Sequence, residues 1–232
     1  MNEIGQSLAL GAQLVAVADP ALLRIAALSL EVSGVAVIVA SIAALPVGAW
    51  LAMERFRGRN TVIAVLNAMM GLPPVVVGLV VYLLLSRAGP LGAMGLLFTP
   101  PAMIVAQTVL IFPIVAALAR QVIEDSWSEY REQLVSLNAS RMQCVAALIW
   151  DLRFTLLTAI LAGFGRAIAE VGAIIVVGGN IRGYTRTMTT AIALETAKGD
   201  LALALGLGAV LMSIAVAVSA VAFGLSERQG EG

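Results

Sequence analysis

Residues 22–52 read LLRIAALSLEVSGVAVIVASIAALPVGAWLA, and this apolar run decides the fold. It contains two charged residues, Arg24 and Glu31, and is long enough to cross the roughly 30 Å hydrocarbon core of a bilayer with tilt. The whole 232-residue chain has 60% hydrophobic and 12% charged residues, with a mean hydropathy of +0.99. Soluble domains carry about 25% charged residues, so the surplus apolar surface must face lipid. We therefore predict an all-α integral membrane protein.

Similar apolar runs recur along the chain and predict a single transmembrane domain over residues 1–232. The five predicted spans cover about 22–52, 61–85, 101–119, 154–177 and 201–225, so that residues 22–119 hold spans one to three and residues 154–225 hold spans four and five. The second span is interrupted at residues 71–74, where Pro73 and Pro74 remove two backbone donors and force a kink or a break. Protein or water must satisfy the backbone groups freed there, because lipid cannot.

The N-terminus contains a shorter apolar stretch at residues 7–18. Twelve residues of helix reach roughly 18 Å, too short to cross the bilayer. A cleaved signal peptide is rejected because Glu3 precedes the stretch and no Lys or Arg does. We expect residues 1–20 to form an elbow helix that lies in the membrane interface.

Residues 120–153 form the one long polar stretch. Apolar residues recur in it at helical spacing, which predicts short helices rather than a disordered linker. The positive-inside rule assigns this loop to the cytoplasm, with the N-terminus outside and the C-terminus inside a multi-pass inner-membrane protein. Eight arginines fall on its side: Arg55, Arg57, Arg59, Arg120, Arg131, Arg141, Arg153 and Arg228. Five basic residues fall on the other: Arg24, Arg87, Arg182, Arg186 and Lys198.

Several function classes are excluded by what the sequence lacks. The 14 basic and 14 acidic residues cancel, which argues against a nucleic-acid binder. With no histidine and one cysteine, Cys144, no His/Cys cluster can hold a metal. No G-x-x-x-x-G-K-[ST] loop is present, so the chain cannot bind a nucleotide by this route, and energy, if the protein uses it, comes from a partner. Residues 120–153 are either the docking site for that partner or a solvated connecting loop.

Glu170 lies inside the fourth predicted span, where an ionised carboxylate costs roughly 2.5 kcal/mol or more unless it is paired or faces water. Arg166 stands four residues earlier, so an i,i+4 ion pair is geometrically available. The pair either neutralises itself and fixes helix packing, or helps to close or shape a pathway.

The exit of the fourth span combines Gly178, Gly179 and Asn180 with two arginines, Arg182 and Arg186. Successive backbone N–H groups with arginine forks behind them suit transient guidance of a divalent tetrahedral oxyanion. The alternative is an ordinary glycine turn followed by arginines that anchor to lipid headgroups.

The polar stretch contains Glu132-Gln133-Leu134, then Leu137-Asn138-Ala139-Ser140, and then Leu148. This pattern resembles the EAA loop of binding-protein-dependent ABC importer permeases, although Asn138 stands where the family has glycine and Asp151 where it has proline. Glycine there would serve a turn with positive φ, and asparagine is among the next best tolerated residues. The resemblance implies a coupling helix over residues 139–149, with Glu132, Asn138, Ala139, Ser140 and Arg141 contributing to ATPase coupling.

In the fourth span and its exit, residues 165–173 read GRAIAEVGA and residues 178–192 read GGNIRGYTRTMTTAI. These runs are similar to those of the sulfate, molybdate and tungstate permeases, and their combination looks like the tungstate branch. Further likeness lies in residues 71–78, GLPPVVVG, and 86–92, SRAGPLG. The likeness covers nearly the whole chain.

This resemblance implies a type I ABC importer permease fold and the import of tungstate. It also implies a homodimer that works with two cytoplasmic ATPase subunits, which bind ATP and Mg²⁺, and with an external oxyanion-binding protein. The permease itself would be no enzyme and would hold no cofactor. Arg166, Glu170, Gly178, Gly179, Asn180, Arg182 and Arg186 are then the candidate residues of the gate or pathway.

Two alternatives remain at this point. A sulfate or molybdate permease would share the architecture and the shorter motif. An ion-coupled secondary transporter would use the broken second span as its site, and it would require an inverted repeat with a matching break in the other half. The sequence shows no second proline pair within a span, so we expect no such break.

Overall fold

The computed structural model describes residues 9–10, 13, 15–17 and 19–230. Within these residues the chain folds into helices and no strand is present. Nine α-helices and one 3₁₀ turn occur in the described chain: α1 Pro20–Met53, α2 Arg59–Met70, α3 Pro74–Leu85, the 3₁₀ turn Gly92–Met94, α4 Pro100–Ser136, α5 Arg141–Asp151, α6 Arg153–Ile168, α7 Gly172–Gly178, α8 Met188–Lys198 and α9 Leu201–Gly230. Most of the elbow predicted over residues 1–20 lies outside the described residues.

Three helices, α1, α4 and α9, are long and apolar enough to cross a membrane alone. Two bent pairs bring the number to as many as five if each counts as one span: α2 with α3, which meet at 100°, and α5 with α6, which meet at 76°. The all-α membrane fold with about five spans is thus confirmed.

Side chains bond to the backbone at both ends of the first span, α1. Asp19 accepts hydrogen bonds from the N–H groups of Ala21 and Leu22, at 2.9 and 3.1 Å, and Pro20 occupies the first helical position, where its missing donor costs nothing. At the other end, Arg59 Nε donates to the carbonyl of Leu51 at 2.8 Å. Each terminus therefore has a side chain that satisfies backbone groups the helix leaves open.

The predicted interruption of the second span is confirmed. Helix α2 ends at Met70, and α3 begins at Pro74, since proline is favoured in the first turn of a helix, where no backbone donor is needed. Because α2 and α3 meet at 100°, residues 71–73 form a break rather than a kink.

The third span does not end where the sequence pattern placed its end. Helix α4 continues through residue 119 to Ser136, 37 residues in all, where short helices were expected from residue 120. Polar residues begin at 120 because the helix leaves the lipid there, while its buried side remains apolar. Ile123 is fully buried against Ala49, Met53 and Leu148. The change from apolar to polar residues at position 120 therefore does not mark the end of the helix.

Helices α1 and α4 pack side by side over most of their length. Gly48 marks the closest approach, because a Cβ atom there would lie 2.8 Å from the carbonyl oxygen of Ala116. Small residues at every fourth position of α1, Ala36, Ala40 and Ala44, are fully buried in the same way. We call this pair of helices the stem.

Candidate functional site

The fourth span is broken at residues 169–171, inside the run predicted to be one span over 154–177. Helix α6 ends at Ile168, and α7 starts at Gly172. The expectation that the chain has one interrupted span is therefore wrong, since a second break exists in the other half of the chain. No proline lies at this break, so the sequence pattern did not reveal it, and a side-chain carboxylate bridges its two sides.

Glu170 is that carboxylate, and it is 4% exposed. Its Oε2 lies 2.5 Å from Arg166 Nη1, and its Oε1 accepts a hydrogen bond from the N–H of Ala173 at 3.2 Å. The ion pair that the i,i+4 spacing made available is present. The second oxygen satisfies a donor at the start of α7, so one side chain stabilises both sides of the break.

Side chains from two other helices satisfy the carbonyl groups near the break. Gln107 of α4 donates through Nε2 to Ala167 O at 2.8 Å, and Thr189 of α8 donates through Oγ1 to Glu170 O at 2.7 Å. Lipid offers no hydrogen bonds, so such partners are what permit irregular backbone at membrane depth. Gln107 and Thr189 were not among the predicted site residues. The signals available were a lone amide in an apolar span and the threonine-rich run at 185–190.

The two breaks lie next to each other. A Cβ atom on Gly172 would lie 2.7 Å from Val75 Cγ2, and one on Gly78 would lie 2.7 Å from Ala173 Cα. Helices α3 and α7, each just after a break, are thus in backbone contact. Gly78 is required for this approach, because a Cβ there would meet the backbone of Ala173, whereas at Gly172 the nearest atom belongs to the side chain of Val75.

Gly178, Gly179 and Asn180 form the turn that ends α7. Gly179 and Asn180 have positive φ values of 71° and 50°. The N–H of Gly179 donates to Ile175 O at 3.0 Å, so it is engaged inside the turn, and Asn180 Nδ2 donates to Thr190 O at 3.3 Å. Within the described residues, the buried Oδ1 of Asn180 has no hydrogen-bond donor.

The two arginines behind this turn are placed differently. Arg186 is buried, and its Nη1 lies 3.1 Å from Glu195 Oε1 of α8, which also pairs with Lys198. Arg182 is exposed. The structure therefore presents Arg182 at the surface, while the charge of Arg186 is already balanced.

The turn between α4 and α5 is the segment that resembles the EAA loop. Asn138 has a φ of 53°, which confirms the predicted left-handed turn, and the N–H of Ala139 donates to Leu134 O at 3.1 Å. This six-to-one bond and the left-handed residue before it are features of a Schellman motif. Asn138 thus adopts the positive φ expected of the glycine that the family has at this position.

Helix α5 follows, two residues later than the predicted 139–149. Ser140 caps it by accepting from the N–H of Gln143 at 3.4 Å, and Gln143 Oε1 accepts from Ser140 N–H at 2.7 Å. This reciprocal capping box fixes the start at Arg141. Arg141 Nη1 lies 2.8 Å from Glu54 Oε1, at the end of α1. Glu132 is exposed on α4, before the turn.

One face of α5 is buried and the other is open. Cys144 and Leu148 pack against the ends of α1 and α4. On the opposite side Met142 is 78% exposed and Trp150 is 72% exposed. Large apolar side chains with this exposure on one face of a helix form a candidate contact surface for another protein.

Ion pairs place the loop between α1 and α2 at the same end of the molecule as α5. Arg59 Nη2 lies 2.7 Å from Glu124 Oε1, and Arg120 pairs with the other oxygen of Glu124. With the bond between Arg141 and Glu54, these contacts join the two arginine-rich segments that the charge pattern assigned to one side.

Asp151 occupies the position where the family has proline. Its Oδ2 accepts a hydrogen bond from Tyr130 Oη at 2.5 Å. This hydrogen bond first, and then the carboxylate charge, raise the pKa of the Tyr130 phenol above its usual range. The contact ties the end of α5 to the extension of α4.

Relatives with known names cover most or all of the chain. The tungstate uptake system permease protein TupB of Peptoclostridium acidaminophilum is 39% identical over 227 residues, which is 98% of this chain and 100% of that protein. A probable anion ABC transporter permease protein of Haloferax volcanii is 38% identical over 205 residues, 86% of this chain and 88% of that protein. TupB of Campylobacter jejuni is 41% identical over 160 residues, 69% of this chain and 67% of that protein. The chain matches no protein-family model.

A helical fold with up to five candidate membrane spans, together with relatives 38 to 41% identical that are named permease proteins, identifies the chain as a permease subunit of an ABC importer. The chain belongs to the permease family of the tungstate, molybdate and sulfate uptake systems.

Proposed function

We propose that the chain is the membrane-spanning subunit of a tungstate importer, driven by ATP hydrolysis on a partner subunit through alternating access. End-to-end similarity to a protein named as a tungstate permease carries this proposal, because it extends through both broken spans and the coupling segment. The partners are an ABC ATPase in the cytoplasm and an oxyanion-binding protein outside.

Helix α5 is the proposed docking element for the ATPase. Its buried face is attached to the stem through Cys144 and Leu148, while Met142 and Trp150 point away from the protein. Glu132 and residues 138–141 set the turn that positions this helix. ATP and Mg²⁺ are bound by the ATPase, and the permease needs no cofactor of its own.

This assignment fixes the orientation in the inner membrane. If α5 meets a cytoplasmic ATPase, the arginine-rich end joined by the contacts of Glu54 and Glu124 is cytoplasmic. The N-terminus then lies outside and the C-terminus inside. Residues 1–232 act as one transmembrane domain, and two copies enclose the pathway as a homodimer.

Arg166 and Glu170 are the proposed gate. Glu170 is buried, whereas the Arg166 side chain is 40% exposed, so the pair reaches from the protein interior to an accessible surface. Gly178, Gly179, Asn180 and Arg182 guide the anion transiently at the outer end. Arg186 would join them only after its ion pair with Glu195 opens. Weak contacts suit transport, because tight binding would slow release.

Reconstitution tests the function as a whole. Proteoliposomes that contain the permease, its ATPase and its binding protein are expected to take up tungstate in the presence of ATP, in preference to molybdate and sulfate. A second test uses the variant Met142→Asp, which places a charge on the exposed face of α5. This variant is expected to lower ATPase association without lowering the melting temperature of the isolated permease.

The outcomes separate the alternatives. Preference for sulfate or molybdate would leave the architecture standing and change the substrate. The contact between the two breaks is the one observation that favours an ion-coupled carrier, because such carriers join broken helices at their site. Tungstate uptake driven by an ion gradient without ATP would establish that reading and overturn ours.

A further inference from the structure

Gln107 is a buried amide in the middle of an apolar helix. It is 1% exposed and lies on α4, between two other helices. Its Nε2 donates to Ala167 O of α6 at 2.8 Å and lies 3.4 Å from Ser33 Oγ of α1. The side chain of Gln107, which belongs to one helix of the stem, therefore contacts the other stem helix and the end of the broken span.

The other half of this amide is unsatisfied. Gln107 Oε1 is buried and has no hydrogen-bond donor in the part of the chain that the structure describes. An unpaired buried acceptor destabilises a protein, whereas an aliphatic side chain of the same size does not. Stability alone would favour leucine at this position, so the amide calls for another reason.

The position of Gln107 within the stem supplies that reason. Helix α4 runs from Pro100 past Gln107 to Ser136 and continues as one helix through Pro113. It ends at the turn of Asn138, and α1 beside it is joined to α5 through Glu54 and Arg141. Both helices of the stem thus end at the proposed docking element.

The carbonyl to which Gln107 donates also accepts a second hydrogen bond. Ala167 O accepts not only from Gln107 but also from the N–H of Glu170, at 3.1 Å. A shift of the Gln107 amide would therefore act on the same carbonyl that holds the backbone of Glu170. The contact leads directly to the ion pair of Glu170 with Arg166.

We propose that Gln107 is a positioning residue that transmits movement of the stem to the break in the fourth span. When α5 is displaced, the stem carries the displacement to Gln107, and the amide moves Ala167 O and with it the Glu170 backbone. This inference rests on the proposed function, since it requires an ATPase that moves α5.

The test uses the assembled complex in proteoliposomes and the variant Gln107→Leu. Tungstate uptake and ATP hydrolysis are measured on the same sample, together with the melting temperature of the permease. Leucine keeps the volume and removes both polar atoms. We expect ATP hydrolysis within twofold of the wild type, at least a tenfold fall in tungstate taken up per ATP, and a melting temperature that is unchanged or raised.

Ser41→Ala is the matched control. Ser41 lies on α1 in the same helix pair, is 6% exposed, and has a buried Oγ without a hydrogen-bond partner among the described residues. It makes no hydrogen bond to the break, so its loss is expected to leave the uptake per ATP unchanged.

Normal uptake per ATP in Gln107→Leu would overturn the inference. So would a parallel fall of uptake, hydrolysis and melting temperature, which would assign the amide to packing. If the leucine variant does not assemble, Gln107→Met carries the same test, and failure of both to assemble also means a packing role. The proposed function fails separately, when the wild-type complex takes up no tungstate with ATP.

Discussion

Arg166 and Glu170 form an ion pair at the end of α6, with Nη1 2.5 Å from Oε2, although the helix ends between them at Ile168. The pair therefore spans the C-terminus of α6, with Arg166 in its last turn and Glu170 two residues beyond its end. Because Glu170 also accepts from the N–H of Ala173, the carboxylate connects the end of α6 with the start of α7.

Replacing Glu170 by glutamine removes the charge and keeps a similar shape. We expect the Glu170→Gln complex to assemble, to lose about 2 kcal/mol of stability, as is usual for a hydrogen bond to a charged group, and to take up tungstate at least tenfold more slowly. Uptake in proteoliposomes and thermal unfolding in detergent measure the two effects. Assembly with normal transport would remove Glu170 from the mechanism.

Asn138 is predicted to accept glycine and to reject β-branched residues. Its φ of 53° is left-handed, a region that costs other L-residues about 1 to 2 kcal/mol. Asn138→Gly should preserve the melting temperature and the binding of the ATPase, whereas Asn138→Val should lower both. Equal behaviour of the two variants in thermal unfolding and ATPase pull-down would show that the turn does not need this conformation.

The turn at Asn138 could be predicted because it depends on local backbone chemistry. A residue that stands in for glycine identifies positive φ without knowledge of any contact. The break at residues 169–171 could not be predicted in the same way. Gln107 and Thr189, distant in sequence, satisfy the carbonyl groups at this break, and sequence spacing does not reveal which distant side chains meet.

Gly78 allows α3 to touch α7, and alanine there is expected to separate them. A Cβ would lie 2.7 Å from Ala173 Cα, a backbone atom that cannot move aside by itself. Overpacking of this kind costs about 1 to 3 kcal/mol, so Gly78→Ala should lower the melting temperature.

Gly34→Ala is the matched control for Gly78→Ala, since Gly34 lies within α1 and a Cβ there would meet nothing within 4 Å. Alanine at residue 34 should stabilise the helix by up to about 1 kcal/mol. A drop in melting temperature for both variants would mean that the contact with Ala173 is not the cause.

Tyr130 is expected to titrate above the ordinary phenol pKa of about 10. The hydrogen bond to Asp151, and then its charge, raise the pKa of Tyr130 in the folded state. The folded protein thus holds the proton more firmly than the unfolded chain. This contribution to stability is present below pH about 10 and is lost as the pH rises through the raised pKa.

Ultraviolet difference titration of the wild type against Tyr130→Phe isolates this phenol from Tyr82 and Tyr184. In Asp151→Asn the pKa of Tyr130 should fall toward its ordinary value, and identical titration curves in the presence and absence of the carboxylate would contradict the contact.

The extent of the spans was predictable only where lipid covers them. Helices α1 and α9 begin within two residues of the predicted positions, because apolar composition tracks the bilayer. The far end of α4 was not predicted, since residues 120–136 are polar toward water while Ile123 still packs in the protein. Hydropathy reports the surrounding solvent, and a helix that passes from one solvent into another keeps its backbone unchanged.

Helix α9 differs from α4 in how its apolar surface is covered. In its membrane-spanning stretch 17% of the residues are buried, against 61% in that of α4. Its 25 apolar-rich residues reach about 38 Å, longer than a hydrocarbon layer of about 30 Å. A change in membrane thickness would therefore tilt α9 more readily than α4, because fewer protein contacts hold α9 in place.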